Sequence, residues 1–348
     1  MSKVKSLASS VRDADPSAVQ GRECPWREGI VEFPGAIDLH HGGTLTGVRL
    51  AWRLTGPASA PVVCALGGIS AHRRVWGTDD PRESWWSHIA GPGRPLDAQR
   101  HRILGFDFIG GSGESTAPRP AEPFPAISSY DQAEALLHLL NHLGIPSLRA
   151  IAGGSYGGMV ALAFAERYPE RVSQLIVIGA SDRAHPMSTA WRSIERRIIR
   201  FGIETGRPVP AIELARALAM TTYRSSEEFA ARFAGSPSRD GGELVFPVER
   251  YLMARGRDYA SRYRAESFLC LSESIDLHQV DASRIFVPAS VVAVREDLLV
   301  PLADVRAMVA RLPAGRLHEI SSVYGHDAFL KEAEALRPVF VAALEGAT

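Results

Sequence analysis

AGGSYGGMVAL, residues 152–162, sets four glycines around one serine and runs straight on into a helix-forming sequence. Glycine loses more backbone entropy on folding than any other residue, so a cluster marks a shape or a close approach that Cβ atoms forbid. The apolar run LRAIA (148–152) precedes Ser155 and MVALAFAERYPERV (159–172) follows it. Gly153-Gly154-Ser155-Tyr156-Gly157 therefore reads as G-x-S-x-G at a strand-to-helix elbow, the turn that lifts a serine hydroxyl above the end of a sheet. Gly157, Ala161 and Ala165 recur at spacings of four, a small-residue face that lets the helix lie near the sheet. A tight glycine-rich turn with an incidental serine would show the same stretch, and the rest of the chain has to separate the two.

Short apolar runs alternate with helical patterns on both sides of the elbow. GVRLAWRLTG (47–56) and PVVCALGG (61–68) read as the first strands, HRILGFDFIG (101–110) and LRAIAGG (148–154) as the next, followed by SQLIVIGA (173–180) and PASVVAVRE (288–296). SYDQAEALLHLLNHLG (129–144) is an amphipathic helix closed by Gly144, and Pro146 prevents it from resuming. This alternation predicts an α/β fold with a mostly parallel central sheet and helices on both faces. Between 182 and 285 the chain turns Arg-rich and helical, as in TAWRSIERRIIRFG and AIELARALAMTTYRSSEEFAARF, with no clear strands. The expected organisation is an N-terminal tail and lead-in over 1–44, a core made of 45–181 and 286–348, and an all-helical lid inserted over 182–285. Such a lid would cap the carboxyl ends of the strands, where open α/β sheets bind ligands.

Composition narrows the function classes. Lys plus Arg and Asp plus Glu both total 39, which argues against a general nucleic-acid or anionic-membrane surface. Cys24, Cys64 and Cys270 are odd in number, far apart and without CxxC spacing, so neither a disulfide framework nor a zinc site is expected. Cys64 lies in the apolar run PVVCAL and reads as a small core residue. Residues 1–20 lack the apolar core of a signal peptide, and no run approaches membrane-spanning length. The expectation is a cytoplasmic protein with a loose N-terminal tail and no bound metal or cofactor.

A serine hydroxyl is a poor nucleophile at neutral pH and needs a base, and the base needs an orienting carboxylate. Elbow-type enzymes carry these in the order Ser, Asp or Glu, His. Asp297 follows the strand PASVVAVRE, and His326 stands in SSVYGHDAFL, after the last strand-like run (RLHEISS) and before the terminal helix. His40 and His41 precede the serine, His138 and His142 lie on a helix, and His318 is inside a strand. The serine in GGSGES (110–115) is a decoy, since Glu114 takes the place of the second flanking glycine and no helix follows at once. Ser155, Asp297 and His326 are thus the candidate nucleophile, orienter and base. Two backbone donors should hold the oxyanion, each worth roughly 3–4 kcal/mol in typical deletions. One is the N–H of Tyr156; the other is expected from Leu66 or Gly67 in ALGGIS.

Beyond these residues the chain resembles the homoserine O-acyltransferases of methionine biosynthesis, which have the α/β-hydrolase fold. The resemblance rests on WW followed by GPGRPLD (85–97), GGSYGGMVAL (153–162), ARALAMTTYRSSEEFAARF (215–233), VERYLMARGRDYASRYRAESFLCLSESIDL (248–277) and GHDAFL (325–330). It implies two-step transfer, with an acyl-CoA acylating Ser155 and L-homoserine then attacking the acyl-enzyme with His326 as base. It implies that Arg196, in RRII (196–199), holds the amino acid's carboxylate, for which a planar guanidinium is suited, and that Asp327 pairs with its α-ammonium group. A homodimer built through the insertion is implied as well. Arg73 and Arg74 lie just past the expected oxyanion loop, where an arginine would recognise the free carboxylate of a succinyl donor. The reading is therefore succinyl transfer from succinyl-CoA to L-homoserine, with acetyl-CoA as donor or L-serine as acceptor the alternatives. A serine hydrolase of the same fold is the rival, since water exclusion and acceptor binding alone separate transfer from hydrolysis.

Overall fold

Alternate residues of the central strands pack into two different cores. Ile151, Leu175 and Val177 belong to one, while Ala150, Ala152, Ile176 and Ile178 belong to the other. Strands buried on both sides need helices on both sides, and parallel strands joined by helical crossovers supply them. A computed structural model of the chain describes residues 11–13, 25–77 and 83–346. Its main sheet has nine strands: β1 (Val11–Asp13), β2 (Trp26–Glu32), β3 (Arg49–Thr55), β4 (Val62–Leu66), β5 (Arg102–Phe106), β6 (Ala150–Gly154), β7 (Leu175–Ile178), β8 (Ala289–Val294) and β9 (Gly315–Ile320). Their order is β1-β2-β3-β5-β4-β6-β7-β8-β9. The ladder is antiparallel from β1 to β5 and parallel from β5 through β9. This is the α/β-hydrolase fold. Helices α1 (Ser129–His142) and α2 (Tyr156–Arg167) follow β5 and β6.

In the register of the sheet, Gly153 pairs with Leu66 and Gly154 with Ile178. Ser155 therefore leaves the sheet between its two central neighbours. The loops after β8 and β9 open at the same edge, because β6 through β9 all run parallel. Residues far apart in the chain, Ser155, Asp297 and His326, are thereby delivered to one end of the sheet.

Two expectations are corrected. The lead-in over 1–44 is no simple tail, because β2 pairs along its length with β3 and β1 pairs with β2; most of residues 1–24 lie outside the described ones. WREGIVE is not an apolar run, and its charges are instead absorbed by neighbours. Glu28 lies 3.2 Å from the Arg53 guanidinium, which also sits over the Trp26 ring at 4.2 Å. The insertion is also not all-helical. It carries α3 (Pro186–Glu204), α4 (Pro208–Met220), α5 (Ser226–Phe233), α6 (Pro247–Ala260) and α7 (Ala265–Asp276), but Ser238–Asp240 and Glu243–Val245 form a hairpin between α5 and α6. Gly241 and Gly242 both turn at positive φ, so Asp-Gly-Gly was a legible hairpin signal. After β8 come α8 (Leu302–Val309), then past β9 the short α9 (Ala328–Lys331) and α10 (Ala333–Glu345).

A buried histidine bolts the insertion to the core. His278, just past α7, bonds the Ser129 hydroxyl at 2.7 Å and the Ser181 carbonyl at 3.1 Å. Burial pushes its pKa down to about 4, despite the Ser181 bond and the charge of Asp182. The folded pKa lies below the unfolded value near 6.5, so this contribution is whole above about 6.5 and is lost as pH falls toward 4. Urea midpoints measured from pH 7 to pH 4.5 should fall in the parent and fall less steeply in His278→Gln; parallel slopes would contradict this assignment.

Candidate active site

The glycine cluster makes room for a close crossing of helix and strand. A Cβ on Gly157 would lie 2.4 Å from the Leu66 carbonyl carbon and oxygen, and one on Gly153 would lie 2.3 Å from the Gly157 carbonyl oxygen. The Gly157 N–H donates to the Gly67 carbonyl at 2.8 Å, which ties the loop after β4 to the first turn of α2. Between these contacts Ser155 takes φ +54° and ψ −123°, a region that costs a residue with a Cβ about 1–3 kcal/mol. The strain is held by the packing on either side.

Above this elbow the three candidate side chains form one chain of hydrogen bonds. His326 Nε2 lies 2.8 Å from Ser155 Oγ and Nδ1 lies 2.7 Å from Asp297 Oδ2. Asp297 Oδ1 accepts from the Leu299 and Val300 N–H groups at 2.8 and 3.0 Å, so the carboxylate is fixed from both oxygens. Burial favours the neutral imidazole, but the Asp297 charge and hydrogen bond outweigh it and raise the His326 pKa above its ordinary value. The arrangement can take a proton from the hydroxyl and return it to a leaving group. Trp86 Nε1 donates to the Phe329 carbonyl at 2.8 Å, bracing the turn that carries His326.

Ser155 and His326 open onto a cavity of about 260 Å³, roofed by the insertion. Tyr156 is the first residue of α2, so its N–H is among those a helix leaves unpaired by its own ladder. Of the loop after β4, Gly68 lines the cavity; Leu66 closes β4 in the core and Gly67 turns its carbonyl to Gly157. Asp327 also lines it, with its carboxylate 3.2 Å from Arg224 Nε and its N–H donating to the Tyr223 carbonyl at 3.2 Å. Burial raises the Asp327 pKa, against the opposing charges of Arg224 and Arg216.

Three of the expected arginines do not reach this cavity. Arg196 turns to α7, where its Nη1 donates to the Ser272 carbonyl and hydroxyl at 3.0 Å and to Asp276 at 2.6 Å. Arg73 pairs with Asp107 at 2.6 Å and with Glu114, and Arg74 pairs with Glu83 at 3.0 Å. Both line a separate cavity on the other side of Ser70 and Tyr263, whose hydroxyl donates to the Ser70 carbonyl. Arg183, Arg192 and Arg216 line Ser155's cavity instead; Arg183 pairs with Asp182 and Arg192 with Asp276, which leaves Arg216 of α4. It donates to the Tyr223 hydroxyl at 3.1 Å and lies over the Tyr223 and Tyr259 rings at 4.9 and 4.7 Å, with no carboxylate within 4.0 Å among the described residues. The signal for it was a lone arginine in the apolar helix AIELARALAM, at a position flanked by buried Ala215 and Ala217.

Comparison with known proteins gives this geometry a family. The α/β-hydrolase fold family matches residues 77–333. A homoserine O-succinyltransferase of Xanthomonas campestris pv. campestris is 40% identical over 95% of this chain and 86% of its own. The chain belongs to the homoserine O-acyltransferase family. It is an acyltransferase of the α/β-hydrolase fold. A homoserine O-acetyltransferase of Thermus thermophilus is 36% identical over 87% of each chain, and a serine O-succinyltransferase of Litchfieldella anticariensis is 30% identical over 89% of this chain and 96% of its own. Among solved structures, homoserine O-acetyltransferase from Bacillus anthracis superposes with a TM-score of 0.83 at 18% identity, over 92% of this chain and 97% of that one, a likeness of fold.

Two other chemistries find no support among the described residues. No group of three or more His, Cys, Asp or Glu side chains is placed to hold a metal ion, and no helix is long and apolar enough to cross a membrane. Burial pushes the Cys64 thiol far up and the Cys270 thiol to about 12, so neither is a thiolate at neutral pH; Cys24 lies outside the described residues. The close crossing at the elbow is directly testable. Gly157→Ala should lose about 1–3 kcal/mol of stability in chemical denaturation, the range of overpacked core sites, because the added methyl meets backbone. Unchanged stability would show that α2 does not approach β4 as described.

Proposed function

We propose that this protein moves a succinyl group from succinyl-CoA to the hydroxyl of L-homoserine, a step toward methionine, through an acyl-enzyme on Ser155. The observation that carries transfer over hydrolysis is the partly buried Arg216 guanidinium, which faces the nucleophile's cavity without a carboxylate partner among the described residues. Water as acceptor has no use for it, whereas an amino acid brings a carboxylate that fits it. Asp327, on the same cavity, is the matching anion for the α-ammonium group.

The chemistry follows from the hydrogen-bond chain. His326 Nε2 accepts the hydroxyl proton as Ser155 Oγ attacks the thioester carbonyl, and Asp297 keeps the imidazole in the required tautomer. The Tyr156 N–H and an amide of the loop after β4 hold the oxyanion. The CoA thiol leaves with the proton from His326. The homoserine hydroxyl then gives its proton to His326 as its oxygen attacks the acyl-serine, and O-acylhomoserine departs with Ser155 restored. CoA is a cosubstrate; no bound cofactor is required.

Arg73 and Arg74 do not support a succinyl donor, since their charges are matched by carboxylates outside the cavity. The succinyl reading rests on the activity of the 40% relative. The 36% relative supports acetyl-CoA as the second reading. A matrix of acetyl-, succinyl- and propionyl-CoA against L-homoserine, L-serine and water, followed by thiol release and product mass, separates the cases. Succinyl-homoserine should dominate, and Arg216→Gln should raise the acceptor KM by about tenfold or more, as loss of a charged hydrogen-bonded partner does. Thiol release matched by free acid alone would make the protein a hydrolase.

We also infer a homodimer. Met187, Ile194 and Phe201 recur every seven residues on α3 and are 52–67% exposed, beside exposed Val209 and Leu214 of α4. A second copy of this face would cover them. Light scattering should show a dimer that Phe201→Asp converts to a monomer; a monomeric parent would end this reading.

A further inference from the structure

One carboxyl group in the cavity wall has no partner. Glu195 lies on α3, is 4% exposed and lines the cavity that Ser155 opens onto. It makes no hydrogen bond or ion pair with any described residue, although buried carboxyl groups are ordinarily paired. Partners are close but committed elsewhere. Arg192, one turn earlier on the same helical face, gives its Nε to Asp276 at 2.8 Å, and Arg196 gives its Nη1 to the other oxygen of Asp276 at 2.6 Å. Arg216 points to the rings and hydroxyl of Tyr223 and Tyr259. A carboxyl group kept apart from three neighbouring guanidiniums and turned to a ligand cavity is a waiting acceptor for a ligand's cation.

We propose that Glu195 is a specificity residue for the acceptor, receiving a hydrogen bond from the α-ammonium group of the amino acid whose carboxylate Arg216 holds. This rests on the reading of Arg216 above. Asp327 and Glu195 then flank one cation from two sides; an ammonium has three N–H donors and uses both. Asp327 is already shared with Arg224 at 3.2 Å, which leaves Glu195 as the carboxyl with its full accepting capacity free. Burial raises the Glu195 pKa to about 7, against the charges of Arg192, Arg216 and Arg196 and with that of Asp276. Tyr223 is a further titratable neighbour, and Asp327 and His326 share the cavity wall. A bound ammonium favours the ionised form, so binding draws a proton off this group when the pH is below 7.

The test measures binding without turnover. Ser155→Ala protein and its Ser155→Ala/Glu195→Gln derivative are titrated calorimetrically with L-homoserine and with 4-hydroxybutanoate, which lacks the ammonium group. Homoserine affinity should fall by about tenfold on the second substitution, while 4-hydroxybutanoate binds both proteins alike. Homoserine affinity should also weaken between pH 8 and pH 6 more steeply with Glu195 than with Gln. Glu195→Asp in the same background should recover part of the loss, and this arm stands in if the Gln protein misfolds. A change of less than twofold for homoserine, or an equal loss for 4-hydroxybutanoate, overturns the assignment. Failure of the acyltransferase reading is seen separately, as absence of acyl-homoserine from the parent protein.

Discussion

The structure depends on one close approach, that of the first turn of α2 to the end of β4. Gly157 leaves no room for a Cβ against Leu66 of β4, Gly153 at the end of β6 leaves none against Gly157, and the Gly157 N–H closes the gap by bonding the Gly67 carbonyl. Held from both sides, Ser155 stays in a backbone region that it would leave if free. The same contact sets the distance between the serine and the loop after β4. It thereby places the candidate oxyanion amides, and it fixes where His326 must reach. A longer crossing would separate all three.

Charge matching decides what the insertion contributes. Asp276 engages two arginines, Arg192 and Arg196, and Asp107, Glu114 and Glu83 engage Arg73 and Arg74. Only after these pairings does an excess cation remain in the cavity, at Arg216, with Glu195 and Asp327 as the nearby anions. The segment from Thr222 to Arg224 also grips the turn bearing His326, by its backbone at Asp327 N–H and by the Arg224 side chain. The insertion therefore does two things at once: it roofs the cavity and steadies the turn that carries His326.

Legibility in the sequence followed the strength of the local signal. The core strands from β3 to β8 were readable as apolar runs because strands buried on both sides admit almost nothing else. β2 was not, since charged residues interrupt any apolar alternation in WREGIVE, and the partner of Glu28, Arg53, lies on the neighbouring strand. The hairpin at 238–245 hid behind helical neighbours, although Asp240-Gly241-Gly242 announced a turn. Arg196 and Arg216 are arginines on adjacent helices, and nothing in the sequence around them tells which one meets a carboxylate.

The sequence by itself determined the elbow, the order Ser155, Asp297, His326, and the family, because each is written in residue types at chain positions that a strand-to-loop junction requires. The tertiary structure alone decided which arginines face the cavity and which are spent on carboxylates. That outcome depends on helix rotation and on neighbours distant in the chain, such as Asp276, 80 residues from Arg196. A guanidinium is a ligand for substrate only when no protein carboxylate reaches it first, and reach is a property of the fold.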